Sequence, residues 1–178
     1  MDGVLVDFGS GYRKLTKGMS MKDMAEKYGA DVARKHFLKA GVNFWATLDW
    51  EYGGKELFET AARLFNTVRI LSSAGTTDPE KGKMVVAGKR LWIKTNLPST
   101  SMSDVIIVPG KHVKKTYATK NSILVDDMPS TIRDWNAAGG YGILHASGRY
   151  KKTIEDLEDI SRPIKITELV KRFVGRYL

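Results

Sequence analysis

Cysteine is absent from the 178-residue sequence, which excludes a disulfide framework, cysteine-ligated zinc and a thiol nucleophile. Histidine is scarce, at three residues, so metal chemistry would have to rest mainly on carboxylates, a donor set that suits magnesium. No apolar run approaches the roughly 18 residues that mark a membrane span, and Met1-Asp2-Gly3 has no basic region ahead of an apolar one. The expectation is a cytoplasmic protein without a membrane segment or secretory signal. Internal repeats, low-complexity blocks and long linkers are also lacking, so one domain is expected over residues 1–178.

What the sequence has in excess is positive charge. Lys and Arg number 29 against 20 Asp and Glu, for a net charge of +9 and a pI near 9.6. That balance favours anionic partners, among them nucleotides, phosphate esters and nucleic acid. Hydrophobic residues at 42% and charged residues at 28% are the composition of a folded globular chain. The closing segment from Pro163 to Leu178 places Ile164, Ile166, Leu169, Val170, Phe173 and Val174 among basic residues and reads as a basic amphipathic helix, with a nucleic-acid-facing surface as the alternative.

Hydrophobic periodicity alternates between two types, the mark of parallel strands joined by helices and hence of an α/β class. Candidate strands are Val4-Leu5-Val6, Thr67 to Leu71, Val105 to Val108, Ser122 to Val125 and Tyr141 to Leu144. The stretch Lys55 to Phe65 puts Leu57, Phe58, Ala61, Leu64 and Phe65 on one helical face. Pro129 opens a second helix that Gly139-Gly140 stops. A Met-rich amphipathic stretch over residues 18–40 predicts one or two helices inserted after the first strand.

The most informative string is Ile123 to Pro129, an apolar strand that ends in Asp126 and Asp127 just ahead of a helix start. At the C-terminal end of a parallel strand two such carboxylates would face the ligand crevice and repel each other unless a cation intervened. A helix cap with a turn aspartate is the plainer alternative. The strings Asp2 to Phe8 and Arg69 to Gly75 also set small polar groups beside an apolar run. Hydroxyls there could hold phosphate oxygens, with Lys89, Lys114 or Lys115 neutralising charge.

The order of these strings resembles the haloacid-dehalogenase superfamily of phosphohydrolases, and within it the cytosolic 5′(3′)-deoxyribonucleotidase type of phages and bacteria. The likeness runs from Asp2-Gly3-Val4-Leu5-Val6-Asp7-Phe8 through Phe44-Trp45, Gly53-Gly54-Lys55-Glu56-Leu57, Ile70-Leu71-Ser72-Ser73 and Gly88-Lys89-Arg90-Leu91-Trp92. It continues through Lys114-Lys115-Thr116-Tyr117-Ala118 and Ile123 to Asp127, and ends at Trp135 to Gly140 and Leu144-His145. It implies a Rossmann-like parallel sheet with flanking helices and a small helical cap over about residues 18–50.

The resemblance also implies roles. Asp2 would be the general acid and base of the first motif, its carbonyl reaching magnesium, and Ser72 the phosphate-binding hydroxyl, with Ser73 beside it. Lys114 or Lys115 would be the motif lysine, and Lys89 a further phosphate contact. Asp126 and Asp127 would join Asp2 at the metal, Asp127 as the direct ligand. Phe8, Phe44, Trp45 and Trp50 fall where the cap would meet the substrate, although at least one of the last three is expected to serve the core. The family pattern is Asp-x-Asp-Gly, whose first Asp attacks phosphorus to form a phosphoaspartate. Here Met1 holds the x position, so the nucleophile is missing from these residues, and the expectation is a polypeptide that begins upstream.

The function implied is a magnesium-dependent phosphatase of (deoxy)nucleoside monophosphates or similar small esters, inactive or weakly active in this form. The alternatives are a nucleic-acid-end phosphatase and a non-catalytic module that binds nucleic acid or a partner protein.

Overall fold

A computed structural model describes residues 1–162; the basic segment expected over 163–178 lies outside them. Four strands and eight α-helices are formed among the described residues. Helices α1 (Phe8–Leu15), α2 (Met21–Tyr28), α3 (Ala30–Lys39), α4 (Gly41–Ala46) and α5 (Gly54–Leu64) precede the first strand, β1 (Ile70–Ser73). Then come α6 (Pro79–Asn96), β2 (Val105–Val108), β3 (Ile123–Asp126), α7 (Pro129–Ala137), β4 (Tyr141–Leu144) and α8 (Tyr150–Ser161). Short 3-10 turns cover Met102–Asp104 and Lys111–Tyr117.

Local chemistry sets many of these boundaries. Ser20 and Asp23 form a reciprocal capping box at the start of α2. The Asp78 carboxylate accepts from the amides of Glu80 and Lys81, and Pro79 opens α6, where a missing N–H costs nothing. Pro129 does the same for α7. The α/β class holds. Sequence reading anticipated α5, α7 and all but the first of the strands, with β1 shifted toward Ser72-Ser73. It passed over α1, α6 and α8.

Two differences bear on the site. Val4-Leu5-Val6 is a buried turn and not a strand. The Met1 carbonyl gathers the amides of Val4, Leu5 and Val6 at 2.8–3.2 Å, and Gly3 adopts φ +67°, a conformation that favours glycine. With its amides used within the turn, the segment makes only isolated bridges, Asp2 to Val6 and Val6 to Trp50. The second difference is that the strands form two separate parallel pairs, β1 with β2 and β3 with β4, where one parallel sheet was expected.

Three helices, α2, α3 and α4, lie within the stretch 18–50. This stretch is stapled to the rest by the Tyr12 hydroxyl, which donates to the Ala33 carbonyl at 2.9 Å, and by the Trp92 indole, which donates to the Leu48 carbonyl at 2.7 Å. Gly88 lets α4 lie directly on α6, since a Cβ there would sit 2.6 Å from the Val42 carbonyl oxygen. That contact fixes where the next residue of α6, Lys89, emerges.

Candidate functional site

The C-terminal ends of β1 and β3 carry the candidate residues. Strand β1 ends in Ser72-Ser73 and leads into a loop that α3 covers, with Phe37 packed against Gly75. From α6 beneath the cap, the fully buried Lys89 ammonium reaches three acceptors: the Asp2 carboxylate, the Ser72 hydroxyl at 3.0 Å and the Ser73 carbonyl at 2.8 Å. All three ammonium protons are thereby used. The Trp45 ring lies over the same nitrogen, 4.8 Å from it to the ring centroid, a distance at which the π-face attracts a cation.

Strand β3 supplies the second ion pair. The Asp126 carboxylate accepts from Lys114 at 2.7 Å and from the Met128 amide at 3.0 Å, with both charged side chains buried. Lys115 is exposed. The alternation of the Lys111–Tyr117 turn therefore makes Lys114 the inward lysine, a choice that spacing alone had left open. Asp127 stands at the solvent edge, and its carboxylate abuts Gly3, where any Cβ would collide with it.

Asp2, Ser72, Lys89, Lys114, Asp126 and Asp127 thus converge, drawn from the first turn, β1, α6, the Lys111–Tyr117 turn and the end of β3. Ser73 contributes its carbonyl to Lys89, while its hydroxyl donates to the Pro109 carbonyl at 3.3 Å and receives the Gly75 amide at 3.0 Å. Phe8 stacks on Trp45 at 5.6 Å and meets Phe37 and Phe44 edge-on, so three of the four aromatics cluster beside Lys89. Trp50 instead packs on Trp92 at 4.7 Å and serves the core.

The electrostatics are uneven. Burial works against charge on Asp2, but the Lys89 ammonium, helped by the Met1 amino group and Lys114, outweighs it and holds the carboxyl below its usual range. Burial draws Lys89 down from its ordinary value, against the pull of Asp2. Asp127 is pushed up, first by desolvation on its inner side and then by neighbouring Asp126. Among the ionised side chains three carboxylates face two ammonium groups; the Met1 amino group lies among them, and burial, with Lys114, pulls its pKa down to about 6. One further observation points to a ligand: Asp2 Oδ1 is shielded from solvent and lacks a hydrogen-bond partner, a state that folded proteins rarely leave unexplained.

No family model matches this chain, and no curated protein matches it.

Among the described residues, no group of three or more metal-ligating side chains is assembled. Lys114 and the Met128 amide already occupy Asp126, and Lys89 occupies one oxygen of Asp2. The donors left for a cation are Asp127 and the unpartnered Asp2 oxygen, with Asp126 held nearby. A hard divalent cation that keeps several waters and takes one or two carboxylates fits this set.

Sequence reading gave no role to His145, buried directly after β4. Its amide donates to the Asp126 carbonyl at 2.9 Å, its Nδ1 lies 2.9 Å from the Thr153 hydroxyl, and its Nε2 has no partner. Burial pulls its pKa down. A histidine just past a strand that pairs with the Asp126 strand was the available signal. No helix among the described residues is long and apolar enough to cross a membrane.

Proposed function

We propose that this crevice is the active site of a magnesium-dependent phosphatase of the haloacid-dehalogenase type, acting on (deoxy)nucleoside monophosphates or similar small phosphate esters. The observation that carries the reading is the Lys89 ammonium shared by Asp2, Ser72 and the Ser73 carbonyl, at the same strand ends as the Lys114–Asp126 pair. Five separate segments of sequence supply these groups, and a phosphoryl group is the ligand that uses them together.

Each side chain then has a defined task. Ser72 donates its hydroxyl proton to a non-bridging phosphate oxygen, Lys89 exchanges one of its three present acceptors for another, and Lys114 holds Asp126 in place while adding positive potential. Asp127 and the free oxygen of Asp2 hold magnesium, which when bound supplies charge neutralisation for the phosphoryl group. Asp2, which its surroundings keep ionised, is placed to take a proton from water through the oxygen that Lys89 releases on turning to the phosphate. The cap excludes water, and the Phe8–Trp45 stack bounds the space for the leaving group, which favours small substrates over polymer ends.

The attacking carboxylate is not among residues 1–178. On this reading the 178 residues bind phosphate weakly with little or no turnover. The test compares this chain with a form extended by an apolar strand ending in Asp, assayed on deoxynucleoside monophosphates with and without MgCl2. Magnesium-dependent hydrolysis by the extended form alone is expected. An extended form that binds magnesium but hydrolyses no ester would favour a binding module. Hydrolysis confined to phosphorylated oligonucleotides, steeply salt-dependent, would favour a nucleic-acid-end enzyme.

A further inference from the structure

Glu51 is a buried carboxylate with no part in the charged crevice, and it is 8% exposed. Its side-chain hydrogen bond comes from a hydroxyl and not from a cation: Ser147 Oγ donates to Oε1 at 2.6 Å. Burying a carboxylate is costly, and for packing alone an apolar side chain of similar volume often serves as well. What the position needs is therefore the acceptor.

Through its backbone Glu51 belongs with the turn that carries Asp2. Its amide donates to the Leu5 carbonyl at 2.9 Å, Trp50 bridges Val6, and the Asp7 amide donates to the Asp49 carbonyl at 3.0 Å. Gly54 lets the start of α5 close on the same turn, since a Cβ there would sit 3.0 Å from the Val4 and Leu5 carbonyl oxygens. Through its side chain Glu51 holds the loop after β4, which is tied to the other half of the crevice. There the His145 amide donates to the Asp126 carbonyl at 2.9 Å, and the His145 ring is pinned by the Thr153 hydroxyl of α8. Only Ala146 separates His145 from Ser147, so a short stretch of backbone carries the Glu51 bond to the end of β3.

We propose that Glu51 is a positioning residue: its bond to Ser147 joins the Asp2 turn to the loop bonded to Asp126, and so holds Asp2 at the separation from Asp127 at which one divalent cation binds both. The cation rests on the phosphatase reading, whereas the clamp does not. A small hard cation demands near-ideal geometry from its carboxylates, and these two come from segments far apart in sequence. Glu51→Gln keeps a carbonyl oxygen for the Ser147 hydroxyl and removes the charge, while Glu51→Ala removes both. Ser147→Ala cuts the same bond from an exposed position, which keeps the test open if Glu51→Ala does not fold.

The 178-residue chain and the three variants are compared below the melting temperature of each. Calorimetric titration with MgCl2 should show binding at least about tenfold weaker in both alanine variants and within about threefold of the parent in Glu51→Gln. A role in stability alone would lower melting temperatures and leave these affinities equal, which would overturn the proposal. The second readout uses no metal. Arg13 on α1 and Arg133 on α7 are exposed in a chain without cysteine, so Arg13→Cys with Arg133→Cys can carry two nitroxide labels. They report the separation of the helix after the Asp2 turn from the helix after β3. The distance distribution should match the parent in Glu51→Gln and broaden or shift in both alanine variants; an unchanged distribution in Ser147→Ala would overturn the clamp. Equal weakening of magnesium binding in Glu51→Gln and Glu51→Ala, with Ser147→Ala unaffected, would mean that Glu51 acts through its charge, and would overturn positioning. A parent that binds no magnesium would sink the metal of the phosphatase reading and not the clamp, which the distances then decide alone.

Discussion

Replacing Lys89 with Met keeps the side chain's length and apolar stem while deleting an ammonium that is about 1% exposed. Three acceptors lose their donor: the Asp2 carboxylate, the Ser72 hydroxyl and the Ser73 carbonyl. Removing one partner of a fully buried pair costs about 3–5 kcal/mol. The Asp2 side chain is 31% exposed and can recover some hydration, which brings the expected loss to about 2–3 kcal/mol. For a chain of this size that lowers the melting temperature by about 4–12 °C.

Two further readouts separate the ion pair from simple loss of packing. In a double-mutant cycle of Lys89→Met with Asp2→Asn, the coupling should exceed about 1 kcal/mol. The second readout is pH. Asp2 has a folded pKa below its unfolded value of about 3.9, so its stabilising contribution is present above that value and is lost as pH falls through the lower folded one. In Lys89→Met burial is opposed only by the weaker pull of the Met1 amino group and Lys114, so the Asp2 pKa rises relative to the parent and the variant regains relative stability in acid. The gap between the two proteins should hold from about pH 5 to 7 and narrow clearly below about pH 4. Additive single mutants, or a gap unchanged across that range, would refute the reasoning.

Lys114→Met should cost about 3–5 kcal/mol by stranding buried Asp126, whereas Lys115→Met should stay within about 0.5 kcal/mol; urea melts of the two variants read the difference. Asp127→Asn should remove the stabilisation conferred by MgCl2, expected at about 2.7 kcal/mol when the cation is at 100 times its dissociation constant, as read by thermal melts with and without the cation. The raised pKa of Asp127 means that its charged form opposes folding above that pKa, so without metal the Asn variant should melt no lower than the parent near neutral pH. Gly88→Ala should cost about 1–3 kcal/mol by pushing α4 off α6 and should weaken inorganic phosphate binding, measured by calorimetry, because Lys89 follows directly on α6.

Much of the site could be read from sequence because it sits at strand ends, where an apolar run stops abruptly at small polar or acidic residues. Ile123 to Asp127 and Ile70 to Ser73 are such strings, and their register brings Ser72 and Asp126 to one end. The choice between Lys114 and Lys115 was not legible, since adjacent residues on a 3-10 turn differ in direction by about a third of a turn and both are lysine. Helix α6 was missed because its buried residues include glycines and Lys89 itself, which dilutes the apolar stripe. Val4-Leu5-Val6 misled for the opposite reason: three apolar residues satisfy a strand pattern and a buried turn equally well, and the Met1 carbonyl decides the matter.

The charge pattern of the crevice and its response to a divalent cation are linked through Asp2. As ionised side chains, Asp2, Asp126 and Asp127 outnumber Lys89 and Lys114 by one, so the crevice alone disfavours a dianionic ester. A divalent cation at Asp127 and Asp2 reverses that balance to one net positive charge and relieves the repulsion that lifts Asp127. A further carboxylate supplied by an added Asp-ended strand would return the balance to zero, a setting in which an anionic nucleophile and a phosphate ester can share one site without a large repulsive barrier. Magnesium affinity should therefore rise when the Asp-ended strand is present and fall back when that Asp is replaced by Asn. Calorimetric titration of the two extended forms checks the sign, and equal affinity in both would show that the added carboxylate does not reach the crevice.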